Sequence, residues 1–225
     1  MLKKYLVFSI DDGTIYDKDV ISLFNKYGIR GTFNINSNLA NFTWYYNDNI
    51  PITRLDFMSN YELYKNHEVA SHTLDHIHLT SVDRKEIIRQ VNGDLTYLSW
   101  LFKRNDISSF AMPFSDNNEW VNSIIKEHTN VSNIRVSEID ESFNPPSDRY
   151  YIKITSLDIN RAIELFPKFL KSRKKISVFI YAGHSYDFYV NNTFDKLEEF
   201  LKLINAHKEI EVVTMKELVD AIFKK

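Results

Sequence analysis

Short β-rich runs alternate with helix-period segments along the whole chain, and that alternation constrains its fold more than any other feature. Residues 5–10, 31–36, 68–71, 109–113, 133–136, 151–154, 177–182 and 211–213 read as strands, most of them rich in β-branched and aromatic side chains. Between them, residues 19–27 place Val20, Leu23, Phe24 and Tyr27 on one stripe. Residues 81–102 and 193–206 carry longer apolar patterns at helical spacing. Strand-helix alternation of this kind predicts a mostly parallel α/β sheet, either open or closed into a barrel. At 225 residues the expected organisation is one domain spanning 1–225.

Composition removes several classes of function. The chain is 44% hydrophobic and 26% charged with a net charge of -2, and its one basic cluster, 171–175, reads as a solvated helix end, so a nucleic-acid partner is not expected. No apolar run approaches the roughly 20 residues that span a bilayer. The start, Lys3-Lys4 running straight into a strand pattern, lacks a signal-peptide core, so the expected setting is cytoplasmic and away from the membrane. With no cysteine, any metal must be held by nitrogen and oxygen ligands.

In parallel α/β sheets active residues gather at the C-terminal ends of the strands. Asp11 and Asp12 follow the first run, His72 and His76 the third, Pro113 and Phe114 the fourth, and His184 ends the seventh. Asp11-Asp12-Gly13 has a plain reading as a turn, but adjacent carboxylates repel, and that repulsion is relieved where a cation lies beside them. His72 and His76, at i,i+4 spacing, can share one helical face with or without a metal. Together they offer the Asp-plus-two-His set of a hydrolytic metal site, with a second carboxylate to act as base. His78 falls out of the stripe and reads as a surface or substrate-facing residue. Ser185, His184 and Asp187 invite a Ser-His-Asp triad, which their closeness in sequence and the absence of a nucleophile elbow argue against.

Taken in order, Ser9 to Gly13, the Glu68 to His76 run, Phe110 to Phe114 and Tyr181 to Phe188 resemble the motifs of the polysaccharide deacetylase superfamily, carbohydrate esterase family 4 or NodB-homology domains. The last, Gly183-His184-Ser185-Tyr186-Asp187-Phe188, resembles the Gly-His-Ser-Tyr-acidic-Phe signature of a less characterised branch. The resemblance implies an irregular (β/α) barrel of NodB type. It further implies that Asp12, His72 and His76 hold one divalent ion, zinc first with cobalt, nickel or iron as alternatives. Asp11 would be the general base, His184 the general acid and the Phe114 backbone N–H an oxyanion donor. The implied reaction is removal of N-acetyl groups from an amino sugar or polysaccharide.

Three departures stand out. Ala111 occupies the place of an arginine that orients the base, leaving Asp11 without an evident partner. No Trp lies near Asp158 to form the motif that braces the catalytic histidine, and Asp187 is assigned to substrate contact or loop bracing. Ala182 replaces a leucine of the acetyl pocket. Trp44 and Trp120 are candidate sugar platforms, each with a packing alternative. A related hydrolase of a small non-sugar amide and an inactive carbohydrate-binding relative are the rival readings.

Overall fold

A computed structural model describes residues 2–223, so Met1, Lys224 and Lys225 of the expected 1–225 unit lie outside the described residues. The strands are β1 (Lys3–Asp11), β2 (Thr32–Ile35), β3 (Thr43–Tyr46), β4 (Ile50–Thr53), β5 (Glu68–Ser71), β6 (Ser109–Ala111), β7 (Asn133–Ile139), β8 (Ile152–Ile154), β9 (Ile176–His184) and β10 (Ile210–Val212). The helices are α1 (Asp17–Lys26), α2 (Phe57–Asn60), α3 (Arg84–Phe102), α4 (Glu119–His128), α5 (Ile159–Lys171), α6 (Ser185–Val190), α7 (Phe194–Asn205) and α8 (Met215–Phe223).

The main sheet has eight strands, in the order β10-β1-β2-β5-β6-β7-β8, with β9 along the other edge of β1. All of its pairings are parallel. One edge of β1 is shared: Lys4 to Leu6 pair with β10, and Ser9 to Asp11 pair with β2. The ends of the sheet meet where Ser156, just past β8, bridges Tyr181 of β9, and the Ala182 N–H donates to the Ser156 carbonyl at 3.0 Å. The result is an α/β fold with a nearly closed parallel barrel, the architecture that the resemblance implied.

Phe8, Ile10, Phe33, Val69, Phe110 and Ile134 point outward from their strands and pack against the surrounding helices. On α3, Ile87, Val91, Leu95, Leu98 and Phe102 form the buried stripe, and the Asp83 side chain caps the helix by accepting from the Glu86 N–H at 2.9 Å. The helix therefore begins at Arg84 rather than at residue 81, because Asp83 terminates the preceding extended segment. A second cluster, with Val7, Ile152, Ile154, Val178 and Ile180, fills part of the barrel interior and is closed by Met215, Leu218 and Val219 of α8.

Candidate metal centre and active-site cleft

The site grows from the end of β1. Asp11 is the last extended residue, in register with Asn34 of β2 and His184 of β9. Had the strand continued, Asp12 would point to the opposite face. Instead Asp12 takes φ 79 and Gly13 φ 64, so the chain turns sharply and both carboxylates line the same cleft. A Cβ on Gly13 would approach the Phe57 ring to 2.8 Å, so only glycine allows this turn to pack.

His72 follows β5 directly, and the run to His76 is a loop, not the helical turn that i,i+4 spacing suggests. Thr73 (φ 70) and His76 (φ 50) both occupy the left-handed region, and Thr73 Oγ1 accepts from the His76 N–H at 3.0 Å. This folded loop sets the two imidazole centroids 5.0 Å apart. Ligand atoms of Asp12, His72 and His76 lie within 4.8 Å of one another, the only such group of His, Asp or Glu among the described residues. The donor chemistry suits a cation. His72 Nδ1 donates to the Ala111 carbonyl at 2.8 Å, which fixes the tautomer and leaves the Nε2 lone pair facing the site. Burial lowers the pKa of both histidines, His76 to about 4, so both rings are neutral at neutral pH. The buried Asp94 of α3 anchors the loop by accepting from the His72 and Ser37 N–H groups and the Ser71 hydroxyl.

Two partners that seemed missing are present in other places. Arg135 of β7, 1% exposed, donates through Nη2 to Asp11, and Asn34 Nδ2 donates to the same oxygen at 2.7 Å. The expectation that Ala111 leaves Asp11 without a partner is therefore wrong. Ala111 and Arg135 are in register on adjacent strands, so the guanidinium reaches Asp11 from one strand farther along. Burial alone would raise the Asp11 pKa, but the charge of Arg135, aided by His184, holds it below the usual value. Asp187 supports His184 through a capping box on α6: Oδ2 accepts from the His184 N–H at 2.9 Å and lies 3.0 Å from Nδ1. Burial pulls the His184 pKa down, yet the Asp187 hydrogen bond and the charges of Asp12, Asp187 and Asp11 outweigh it and push it up to about 9. Closeness in sequence thus does not prevent a His-Asp pair. Ser185 takes no part in it, since its hydroxyl donates to Asp17 at 2.5 Å.

Asp12 is held at about 2, because burial is outweighed first by the charges of His184 and Arg54. Arg54, just past β4, was not singled out from the sequence. Its Nη2 donates to Asp12 Oδ1 at 3.0 Å, and its guanidinium lies 4.4 Å from the centroid of the Trp44 ring. Both belong to a hairpin, β3–β4, and the residue after it, in a stretch where no strand was expected from the sequence. Asn47 and Asp48, with φ 48 and 60, supply the left-handed turn that such hairpins require, and an Asn-Asp pair between β-rich residues was the available signal.

The cleft has a volume of about 640 Å³. Trp44, Phe114 and Tyr186 line it, with Met112, Phe42 and Leu157 around them. Pro113 is buried and opens the turn that carries Phe114, whose φ of 55 turns its ring against His76 and His78. Ala182 is buried in the interior apolar cluster. Trp120 stands on α4, half exposed, and is not part of the cleft wall.

A family model described as polysaccharide deacetylase matches residues 1–131, more than half of the chain. The chain belongs to the polysaccharide deacetylase family. Its fold is similar to the carbohydrate esterase family 4 domain of a multidomain xylanase from the hindgut metagenome of Trinervitermes trinervoides, with TM-score 0.65, 16% identity and coverage of 97% of this chain and 91% of that one. It is also similar to a family 4 acetyl xylan esterase from Clostridium thermocellum in complex with a cobalt ion, with TM-score 0.64, 13% identity and coverage of 96% and 91%. A third similar structure is a family 4 pseudoenzyme from Bacillus anthracis, with TM-score 0.60, 14% identity and coverage of 97% and 66%. A search of curated protein sequences finds no match. Among the described residues of this polysaccharide deacetylase family member, no helix is long and apolar enough to cross a membrane.

Proposed function

We propose that this protein is a metal-dependent hydrolase that removes N-acetyl groups from an acetylated amino sugar or polysaccharide, within the Gly-His-Ser-Tyr-acidic-Phe branch. The observation that carries the reading is the convergence of Asp12, His72 and His76, within 4.8 Å, on a cleft that also presents Asp11 and His184. Asp12, His72 and His76 would hold one divalent ion, zinc first, with cobalt, nickel or iron also suited to this nitrogen and oxygen set. Such an ion, when bound, supplies Lewis acidity toward the amide carbonyl and an attacking water.

Asp11 is a carboxylate at neutral pH, oriented by Arg135 and Asn34, and accepts the proton that the attacking water loses. The backbone N–H of Phe114 faces the carbonyl oxygen as charge develops on it. His184, kept protonated by Asp187, gives its proton to the departing nitrogen, because an amine anion is too basic to leave unaided. The C–N bond breaks, and acetate and a free amine are released. Trp44 and Phe114 offer aromatic faces for a sugar ring, with Pro113 fixing the Phe114 turn.

The test is metal content by mass spectrometry together with acetate release from acetylated oligosaccharides, for the native protein and His72→Ala. About one metal per native chain with acetate release, both lost in a folded His72→Ala, is the expected result. A folded native protein that takes up no stoichiometric metal would overturn the reading and favour a carbohydrate-binding role.

A further inference from the structure

The hydrolytic steps leave one wall of the cleft unassigned, the end of β7. Arg135 and Ser137 are two apart on that strand, so their side chains share its inner face, while Ile134 and Val136 pack outward in the main core. Arg135 serves Asp11, but Ser137 is half-buried and lines the cleft. Its position is fixed twice. The Ser137 N–H donates to Ser115 Oγ at 3.0 Å, which ties β7 to the turn that carries Phe114, and Ser137 Oγ accepts from Arg135 Nη1 at 2.9 Å.

The second contact decides what the hydroxyl can do. A guanidinium only donates, so Ser137 Oγ is the acceptor there, and its own proton is left for another partner. Among the described residues none takes it. The cation also polarises the hydroxyl, which strengthens it as a donor in a cleft walled largely by Trp44, Met112, Phe114 and Leu157. Asp75, another polar side chain of the cleft outside the hydrolytic set, is already taken up: Oδ1 accepts from Asn38 at 2.9 Å, and Oδ2 from Gln90 and Arg89 at 2.6 and 3.1 Å.

Placement narrows what the free proton meets. One guanidinium holds Asp11 through Nη2 and Ser137 through Nη1, so the hydroxyl stands on the same side of the cleft as the base. The Phe114 ring, 54% exposed, is carried on the turn that Ser115 ties to Ser137. A pyranose laid on an aromatic face turns C–H bonds to the ring and hydroxyls to the edges, where a fixed donor reaches them.

We infer that Ser137 is a specificity residue: its hydroxyl donates to a ring hydroxyl of the acetylated sugar whose face rests on Phe114, and sugars lacking that oxygen are discriminated against. This inference rests on the deacetylase reading and adds a substrate contact to it.

Binding and turnover test the two separately. Zinc-loaded protein carrying His184→Gln, which stops turnover, is titrated with methyl N-acetyl-β-glucosaminide and with its 3-, 4- and 6-deoxy forms. One deoxy form is expected to bind about fivefold more weakly than the parent, the size of one neutral hydrogen bond. Adding Ser137→Ala weakens the parent by the same factor and leaves that deoxy form no worse, so the discrimination disappears. Ser137→Cys, close in size and a weak donor, carries the same comparison if the alanine variant does not fold. Discrimination that survives in the variants, or equal weakening of all four glycosides, which a role confined to bracing Arg135 would give, overturns the contact. So does a failure of the parent glycoside to bind. Acetate release is measured with His184 intact: its absence alongside a discrimination that depends on Ser137 strikes the deacetylase reading alone.

Discussion

The two halves of the barrel interior rest on different physics. On the β8–β9 side, Ile152, Ile154, Val178 and Ile180 pack as an ordinary apolar core under α8. On the β2–β5–β6–β7 side, side chains join across the strands by hydrogen bonds. Thr32 and Ser109 donate to Glu68 at 2.8 and 2.5 Å, and Asn133 donates to Ser109 at 2.9 Å. Higher on the same side, Arg135 of β7 reaches Asp11 of β1, and because those strands are not neighbours, the pair spans the interior. The comparison teaches that one half only packs, while the other both ties the strands to α8 and holds Asp11 in place. Buried polar groups are costly unless satisfied: Arg135 and Asn34 are satisfied by holding Asp11, while Thr32, Glu68, Ser109 and Asn133 satisfy one another and the first N–H groups of α8.

Breaking the polar half should cost most. Arg135→Met leaves the buried Asp11 carboxylate without its counter-charge, and a loss of about 3–5 kcal/mol in denaturant unfolding is expected, with activity falling in the fraction that remains folded. A variant as stable as the native protein would show that the pair is not needed to offset burial. Ile180→Ala in the apolar half should lower stability by about 2–5 kcal/mol while leaving metal content and activity per folded molecule unchanged. Activity falling in step with stability there would erase the contrast between the halves.

Subtler substitutions sharpen it. Asp187→Asn keeps a capping oxygen but removes the charge that holds His184 protonated, so kcat should fall about tenfold or more, about 1.4 kcal/mol of barrel-independent effect, with unfolding midpoint and metal content little altered. An unchanged kcat would remove Asp187 from the site. The smallest effect concerns Asp17, which burial pushes up to about 7 despite hydrogen bonds from Ser185 and Tyr64. A carboxyl whose folded pKa is raised contributes stability that is full below its unfolded value of about 3.9 and is lost as pH climbs through about 7. Asp17→Asn should therefore flatten the fall in stability between those two pH values, read from unfolding curves at each pH; an unaltered slope would mean that Asp17 does not titrate there.

Much of the frame was legible from period alone. Each of the strands expected from the sequence has a counterpart in the main sheet, because short β-branched runs bounded by polar residues leave few other conformations. The hairpin was not read, since β3 and β4 sit outside the barrel and only Ile52 of them is fully buried, while Thr43 and Tyr45 are exposed and Trp44 and Tyr46 half-buried. α5 was obscured by Pro167, an ordinary helix-ending signal that this helix accommodates. At the site, Asp11 and His184 were legible because they end strands, and Asp12, His72 and His76 because they lie within a few residues of one. Arg135 and Arg54 were not, since a charged residue in a strand or after a turn normally faces solvent.

By itself, the sequence determined the alternation that makes a parallel barrel and the residues that end its strands, because both are set by local period and by where each strand stops. Tertiary structure alone decided which charges meet. Asp11 finds Arg135 across the barrel and Asp12 finds Arg54 across a hairpin, at sequence separations of 124 and 42, and no local rule fixes a pairing that only closure of the sheet brings within hydrogen-bond reach.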